Sequence, residues 1–280
     1  MEQFASGPKH HYYGKGDVTV YRLNRQAESG RGSVFGANVL LLTYGDAFLP
    51  TYTTGDNTGL VATDSMKNFI QRETLTFPGE NLEELCQFLG ATFLATYPQA
   101  EGVQVSASEL AYAPLDNDQA FVPAGPERAS ARIELARDGL KEATSALRGF
   151  RLLRLAGSSF RGFVRDQYTT LPELADRPLH MWLDLEWRYS SSSGAFSGGR
   201  VTADVRRSVF ETFQSFTSGS IQQVIYQMGT RILEGVPEIA EVQLEAQNRT
   251  WDSVADQDQT LGVYTDPRPP YGCLGLRMTR

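Results

Sequence analysis

Residues 94–109, LATYPQAEGVQVSASE, and residues 233–248, LEGVPEIAEVQLEAQN, align without a gap at an offset of 139 positions in a chain of 280. Leu94/Leu233, Pro98/Pro237, Val103/Val242, Gln104/Gln243 and Ala107/Ala246 are identical in this register. The register continues upstream, where the apolar stripe Leu82, Leu85, Cys86, Leu89, Phe93 falls on Ile221, Val224, Ile225, Met228, Ile232. Those spacings place each set on one face of a helix. Agreement in the core face of a helix as well as in the strand that follows points to one supersecondary unit used twice. The fold must therefore be one that half of the chain can build.

Each half begins with strands. DVTVYRLNR (17–25) alternates apolar and polar residues and VFGANVLLLTYGD (34–46) is rich in β-formers; FRLLRLA (150–156) and LHMWLDLEWRY (179–189) do the same in the second half. Paired helices follow at 64–75 with 80–96 and at 203–215 with 219–234, each pair closed by a proline. Strands then return at 103–113 and 130–137, and at 242–247 and 273–278. The order is ββααββ twice, an α+β class with antiparallel sheets and helices on one face, divided into domains at 10–145 and 146–280. Two four-stranded sheets leave open edges, which predicts pairing with further subunits into an oligomeric barrel. SSSSGAFSGG (190–199) reads as a mobile loop and NDQAFVPAGPE (117–127) as a turn-rich connection.

A net charge of −7 and a pI near 5.1 argue against a nucleic-acid partner, whose phosphates need a basic face. A small anion stays possible, since one well-placed arginine can hold it. Cys86 and Cys273 have no CxxC or CxxH neighbour, the first residues carry no apolar leader, and no apolar run approaches the ~20 residues of a membrane span. The expectation is a soluble, cytoplasmic protein with no membrane partner. With His10, His11 and His180 as its histidines, the chain has no HExxH or HxH pattern for a metal. His180 lies in a strand and reads as structural; His10 and His11 precede Lys15 and could lie near it. GxGxxG, GxxxxGK[ST] and GxSxG are absent too, so no cofactor motif is legible.

GLVATDSMKNF (59–69) runs a strand end into Thr63, Asp64 and Ser65 and then a helical pattern. These groups suit a helix cap, and the same helix start, with its unpaired N–H groups, suits an anion. Together with YGKGDVTVYRL (13–23), YTTGDNTGLVATDSMKN (52–68), FRGFVRDQYTTLPELADR (160–177), SIQQVIYQM (220–228) and QNRTWD (247–252), this segment makes the chain resemble the urate oxidase (uricase) family over nearly its whole length. The resemblance implies two tandem T-fold domains, a homotetramer with active sites shared between subunits, and oxidation of urate by O2 with water to 5-hydroxyisourate and H2O2, with no metal or organic cofactor. The alternatives left open are another T-fold enzyme of pterin or purine chemistry and a catalytically silent purine-binding protein.

Residue by residue, the resemblance assigns Arg177 to the N3/O2 edge of urate, where a planar guanidinium offers two parallel donors. Taken alone, Arg177 reads as a turn cap or as the partner of Asp176. Gln222 takes the opposite edge, with the backbone N–H and apolar wall of Ile221 beside it; Gln223 reads as an ordinary first-turn residue. Phe160 stacks on the purine, and Leu171 and Leu274 complete an apolar slot. Asn248 points at the space above the ring where dioxygen and water sit. From the neighbouring subunit, the Thr63 hydroxyl and the Asp64 backbone N–H meet the N7/O8 edge. Lys15 faces Thr63 as a proton-handling dyad. The family usually carries a histidine two residues after the asparagine, and here that position is Thr250, which can relay a proton but cannot store one near neutral pH.

Overall fold

The two long helices 139 positions apart start and stop by the same chemistry. In the computed structural model, which describes residues 11–25, 32–116, 119–257, 260–267 and 269–280, α3 spans Leu82–Thr96 and α6 spans Ile221–Gly235. The Asn81 side chain accepts the Glu84 N–H at 3.0 Å, and Ser220 Oγ accepts the Gln223 N–H at 3.1 Å. Short polar side chains at this position satisfy one of the four donors that a helix start leaves unpaired. At the other end an arginine takes the last carbonyls. Arg137 donates to Leu94 O (3.1 Å), Tyr97 O (3.0 Å) and Ala100 O (3.0 Å). Arg280 donates to the matching Leu233 O, Val236 O (3.0 Å) and Ile239 O (3.3 Å).

The first unit runs to Ala146 and includes Arg188–Val201; the second holds Leu147–Trp187 and Thr202–Arg280. In the first, β1 (Tyr13–Asn24), β2 (Ser33–Tyr44), β3 (Gly102–Glu109) and β6 (Arg128–Ala136) lie side by side in that order with antiparallel neighbours. The helices α2 (Thr63–Thr76) and α3 come between β2 and β3 in the chain. In the second half of the chain, β7 (Gly139–Arg154), β8 (Leu179–Tyr189), β9 (Ile239–Asn248) and β12 (Gly272–Thr279) repeat the order, with α5 (Arg200–Ser215) and α6 between β8 and β9; β7 begins within the first unit and continues into the second. Both halves are thus ββααββ.

Side-chain periodicity explains which face each element buries. Along β8, Leu179, Met181, Leu183, Leu185 and Trp187 are buried while Asp184 and Arg188 are exposed. Leu85, Cys86, Leu89 and Phe93 of α3 pack on β3 and β6, against Val103, Val105 and Ile133; Val224, Ile225, Met228 and Ile232 of α6 pack on β9 and β12, with Val242 and Leu244 in that core. Each such side chain contributes roughly 1.5–3 kcal/mol by leaving water, which outweighs any single cap.

Four sequence expectations give way. The strand expected at 150–156 ends at Arg154 and begins at Gly139, directly after the two residues Arg137 and Asp138 that turn the chain out of β6. Gly139 has φ +124, and Asp138-Gly139 is a hairpin signal that the reading passed over. The strand itself, GLKEATSALRG at its start, is poor in β-formers and is held by burial of Ala143 to Leu147 rather than by propensity. The expected connection at 117–127 contains β5 (Phe121–Pro123), which pairs with β4 (Tyr112–Pro114); Asn117 and Asp118 lie outside the described residues. The 103–113 strand stops accordingly at Glu109. The expected mobile loop at 190–199 carries a helical turn, α4 (Ser192–Ala195), with Gly194 and Ala195 buried and the Gly198 N–H donated to Glu84 Oε1 at 3.0 Å. The segment after β2 forms a 3-10 turn (Asp46–Phe48) and α1 (Leu49–Thr53), and β10 (Ser253–Gln257) pairs with β11 (Leu261–Tyr264); none of these was foreseen. No helix among the described residues is long and apolar enough to cross a membrane.

Replacing Arg137 by Met should cost about 2–3 kcal/mol, because three carbonyls lose a charged donor. Lys141→Ala, which removes an exposed ion pair with Asp138, should stay within about 0.5 kcal/mol. Urea unfolding measures both, and equal losses would contradict the clamp.

Candidate active site

In the first unit, α2 starts with its backbone donors open. Its N-cap is Ala62, and no side chain caps it. The expectation that the Thr63–Ser65 side chains cap this helix is therefore incorrect: all three lie inside the first turn. The first intrahelical bond is Met66 N–H to Ala62 O at 3.1 Å, so the Thr63, Asp64 and Ser65 N–H groups have no partner within the helix. The Asp64 carboxylate turns down the helix instead, accepting from Lys67 Nζ at 2.5 Å and Asn68 Nδ2 at 3.1 Å. The Lys67 hydrogen bond, then its charge, and more weakly Asn68 and the charge of Lys15 hold the Asp64 carboxyl below its usual value. A carboxylate so engaged stays ionised and is not a proton carrier, which leaves the Asp64 amide as the group offered outward.

Lys15 reaches this neighbourhood from β1. Gly14 lets β1 approach β2 closely: a Cβ there would meet Leu41 O at 1.9 Å. The β1–β2 register then shifts between Lys15 and Val18, with Asp17 at φ 57 and its carboxylate taking the Asn38 amide at 2.6 Å. The Val61 N–H donates to Tyr13 Oη at 3.0 Å, tying the strand to the segment that leads into α2. Burial pushes the Tyr13 phenol up to about 12, so it remains a neutral strut. His11 contacts Gly45 O at 3.1 Å and lies edge-on to Tyr52, while His10 falls outside the described residues.

In the second unit, one hydrogen-bond network holds two of the residues assigned to the ring, Phe160 and Arg177. Phe160 and Leu174 exchange backbone bonds at 2.9 and 3.0 Å. The Asp176 carboxylate accepts the N–H groups of Gly157 (2.7 Å), Ser158 (3.0 Å) and Arg177 (3.0 Å). Arg154 donates to Phe213 O (2.9 Å), Phe216 O (2.7 Å), Gly157 O (2.9 Å) and Ser218 Oγ (2.6 Å), and Ser218 bridges to Gly157 and Ser159 through its backbone. The loop 157–160, the 174–177 turn and the approach to α6 therefore share one frame.

That frame leaves Arg177 without an anion. Its guanidinium sits 5.9 Å over the Phe160 ring, its buried Nε has no hydrogen-bond partner, and burial alone lowers its pKa. The Asp176 pairing suggested by sequence does not form among the described residues: Asp176 Oδ1 takes three backbone N–H groups, and no hydrogen bond or ion pair joins its carboxylate to the Arg177 guanidinium. A half-buried cation beside an aromatic face, with no counter-ion among the described residues, has the chemistry to hold a planar anion.

At α6 the cap separates the two glutamines. Gln223 Oε1 accepts the Gly219 N–H at 2.8 Å while its own N–H goes to Ser220. Gln222 is exposed with no side-chain bond among the described residues, and Ile221 beside it is buried. Asn248 closes β9 opposite Gly272, and Leu274 pairs with Ala246 on β12. Leu171 lies in the 161–173 loop, its carbonyl 3.4 Å from Arg165. Thr250 is exposed one residue beyond Arg249.

Sequence reasoning missed Arg154, Asp176 and Arg249. The Arg-Leu pair shared by 22–23 and 154–155 was the available signal, since Arg22 takes Phe77 O and Gly79 O as Arg154 takes Phe216 O and the Ser218 hydroxyl. Arg249 is buried between the rings of Trp182 (3.9 Å) and Tyr271 (3.8 Å), and its N–H bonds His180 O at 3.1 Å, which fixes the backbone beside Asn248. His180 packs against Trp251 at 5.1 Å, a structural role.

A family model described as Uricase matches residues 11–134 and 143–274. The uricase of Haloferax volcanii is 37% identical over 96% of this chain and 97% of its own. The uric acid degradation bifunctional protein of Bacillus sp. TB-90 is 35% identical; the aligned region covers 96% of this chain but only 60% of that protein. Crystal structures of uricases from Bacillus fastidious (TM-score 0.83, 34% identity, 98% of this chain and 94% of that one) and Arthrobacter globiformis (TM-score 0.84, 28% identity, 96% and 93%) share the fold.

Asp176→Ala should speed hydrogen exchange at Gly157, Ser158 and Arg177 by about tenfold or more, equivalent to ~1.4 kcal/mol of local stability, while Asp176→Asn, which keeps an acceptor, should change it less. Unchanged exchange in Asp176→Ala would remove Asp176 from the frame. His180 supplies a pH test. Burial first, then the charges of Arg151 and Arg249, lower its pKa below the ordinary 6.5, so its contribution to stability is complete above that value and is lost as pH falls through the folded-state value. The melting temperature should drop between about pH 7.5 and pH 5.5, and His180→Gln should flatten part of that drop; parallel curves would contradict it.

Proposed function

The chain belongs to the uricase family and is a urate oxidase, and on that premise we propose that each site is assembled from Lys15, Thr63 and Asp64 of one subunit and Phe160, Leu171, Arg177, Ile221, Gln222, Asn248 and Leu274 of its neighbour, in a cytoplasmic homotetramer. What carries the reading is Arg177: a cation with a buried Nε that has no partner among the described residues, beside an aromatic ring, with no ion pair to the adjacent Asp176, whose Oδ1 takes backbone N–H groups. The open N-terminal turn of α2 supports the other half, because three backbone donors at the positive end of a helix dipole suit the N7/O8 edge of an anion.

The division of labour follows from the donors. Arg177 and Gln222 hold the pyrimidine edge, and Phe160 stacks on the ring and excludes water. Thr63 and the Asp64 amide hold the opposite edge. Held there as its anion, urate transfers two electrons to dioxygen above the ring, near Asn248, with no metal or organic cofactor. Dioxygen takes up two protons and leaves as H2O2; the hydroxyl of one water adds at C5 of the oxidised ring, giving 5-hydroxyisourate. Lys15 and Thr63 move the protons between ring, water and peroxide, and the protein contributes orientation and electrostatics. Thr250 cannot hold a proton, so the storage that a histidine would share falls on Lys15 or an ordered water.

Metal-stripped protein should consume urate, measured as loss of its absorbance, in step with oxygen uptake. Urate binding without turnover would instead favour a silent purine-binding protein, the reading that Thr250 keeps in view. Arg177→Ala should weaken urate binding by about 100-fold, near 3 kcal/mol, from loss of a bidentate charged pair. Thr63→Ala should lower kcat more than it raises Kd; equal, small effects of both changes would contradict the assignment.

A further inference from the structure

Asn248 has little of its own to hold it where the reaction needs it. Its side chain has no hydrogen bond among the described residues, and its cross-strand partner on β12 is Gly272, which has no side chain to prop it. β9 ends at Asn248, so no further strand residue fixes its direction. Its aim must come from the residues on either side of it in the chain.

Those residues are held by Arg249. The Arg249 N–H donates to His180 O of β8 at 3.1 Å, which carries the backbone bonding one residue past the end of β9. Its guanidinium donates to Gln247 Oε1 and lies between two rings, with Cζ 3.9 Å from the centre of Trp182 and 3.8 Å from that of Tyr271. Trp182 belongs to β8, Gln247 to β9, and Tyr271 directly precedes β12, so one side chain ties three strands together. Successive strand residues point to opposite faces; Gln247 and Arg249 therefore share one face and Asn248 takes the other. On that other face Val242, Leu244 and Ala246 are buried and α6 packs. Arg249 itself is 6% exposed. Burying a guanidinium is unfavourable, and an apolar side chain could fill the slot without that penalty. What the planar cation adds is direction: it lies flat between two rings while bonding sideways to Gln247, a combination that neither leucine nor lysine reproduces.

We propose that Arg249 is a positioning residue for urate oxidation, which holds the end of β9 so that the Asn248 amide stays aimed from the α6 face at the dioxygen and water position. The inference rests on the assignment of Asn248 to that position. Arg177, Gln222 and Phe160, which hold the ring, are placed by α6 and by the loops at 157–160 and 174–177. Loosening Arg249 therefore misplaces the amide and leaves the ring clamp intact.

Anaerobic urate binding and steady-state kinetics of the full-length protein test this. Asn248→Ala should lower kcat about 100-fold and Arg249→Lys about tenfold, with the urate Kd of each within about threefold of wild type. The double variant should be no slower than Asn248→Ala alone, because a residue that acts only through Asn248 has nothing to add once the amide is gone. If Arg249→Lys fails to fold, Tyr271→Leu, which removes one ring of the slot, should show the same split between kcat and Kd and the same lack of additivity. A wild-type kcat in Asn248→Ala would overturn the Asn248 assignment and the inference with it. With Asn248→Ala impaired, a wild-type kcat in Arg249→Lys, a loss of urate binding there, or losses that multiply in the double variant would overturn the positioning role alone.

Discussion

The Asp176 carboxylate, which gathers three backbone N–H groups on one oxygen, is the constraint on which the loop around Arg177 depends. Three N–H groups bond its Oδ1 at 2.7 to 3.0 Å and its charge acts on Arg154, while no hydrogen bond or ion pair among the described residues joins it to the guanidinium that follows it in the chain. Arg154 does the complementary work, placing its donors on carbonyls and a hydroxyl that the sheets and helices leave unpaired. One acid and one base thus stabilise irregular backbone, and the charge left over is Arg177. Burial of that leftover charge is unfavourable in the empty protein and becomes favourable when a planar anion arrives.

The same logic applies at the start of α2. A side-chain cap, as at Asn81 and Ser220, would occupy the first-turn donors; Ala62 cannot. Of α2, α3 and α6, the one without a side-chain cap is α2, whose first residues we propose for the site. Asp64 lends its negative charge to Lys67 and Asn68, which keeps the carboxylate away from an incoming anion while its amide stays available.

The fold was legible because duplication repeats physical constraints as well as letters. The stripe on α3 and α6, the strands after them and the ββααββ order could all be read from periodicity. The strand at 139–154 was obscured by Ala, Ser, Lys and Glu, residues whose place in a sheet is set by tertiary burial. At the site, sequence motifs supplied names for Arg177 and Gln222 but could not separate Arg177 from Asp176, or Gln222 from Gln223. Those distinctions rest on where a carboxylate and an amide find their partners, and partners far apart in sequence leave no local pattern. Asp64 is the clearest instance: sequence offered a cap, whereas geometry shows an uncapped turn with the carboxylate engaged along the helix.

The central claim is that neither half of the site is sufficient within one chain. Co-expression of Arg177→Ala and Thr63→Ala chains in equal amounts tests it most directly, because each variant alone lacks one half. If every site takes Arg177 from one subunit and Thr63 from another, random assembly restores about one quarter of wild-type urate oxidation. If both residues act within a single chain, no mixed assembly contains an intact site, and activity no greater than that of the separate variants would contradict the account.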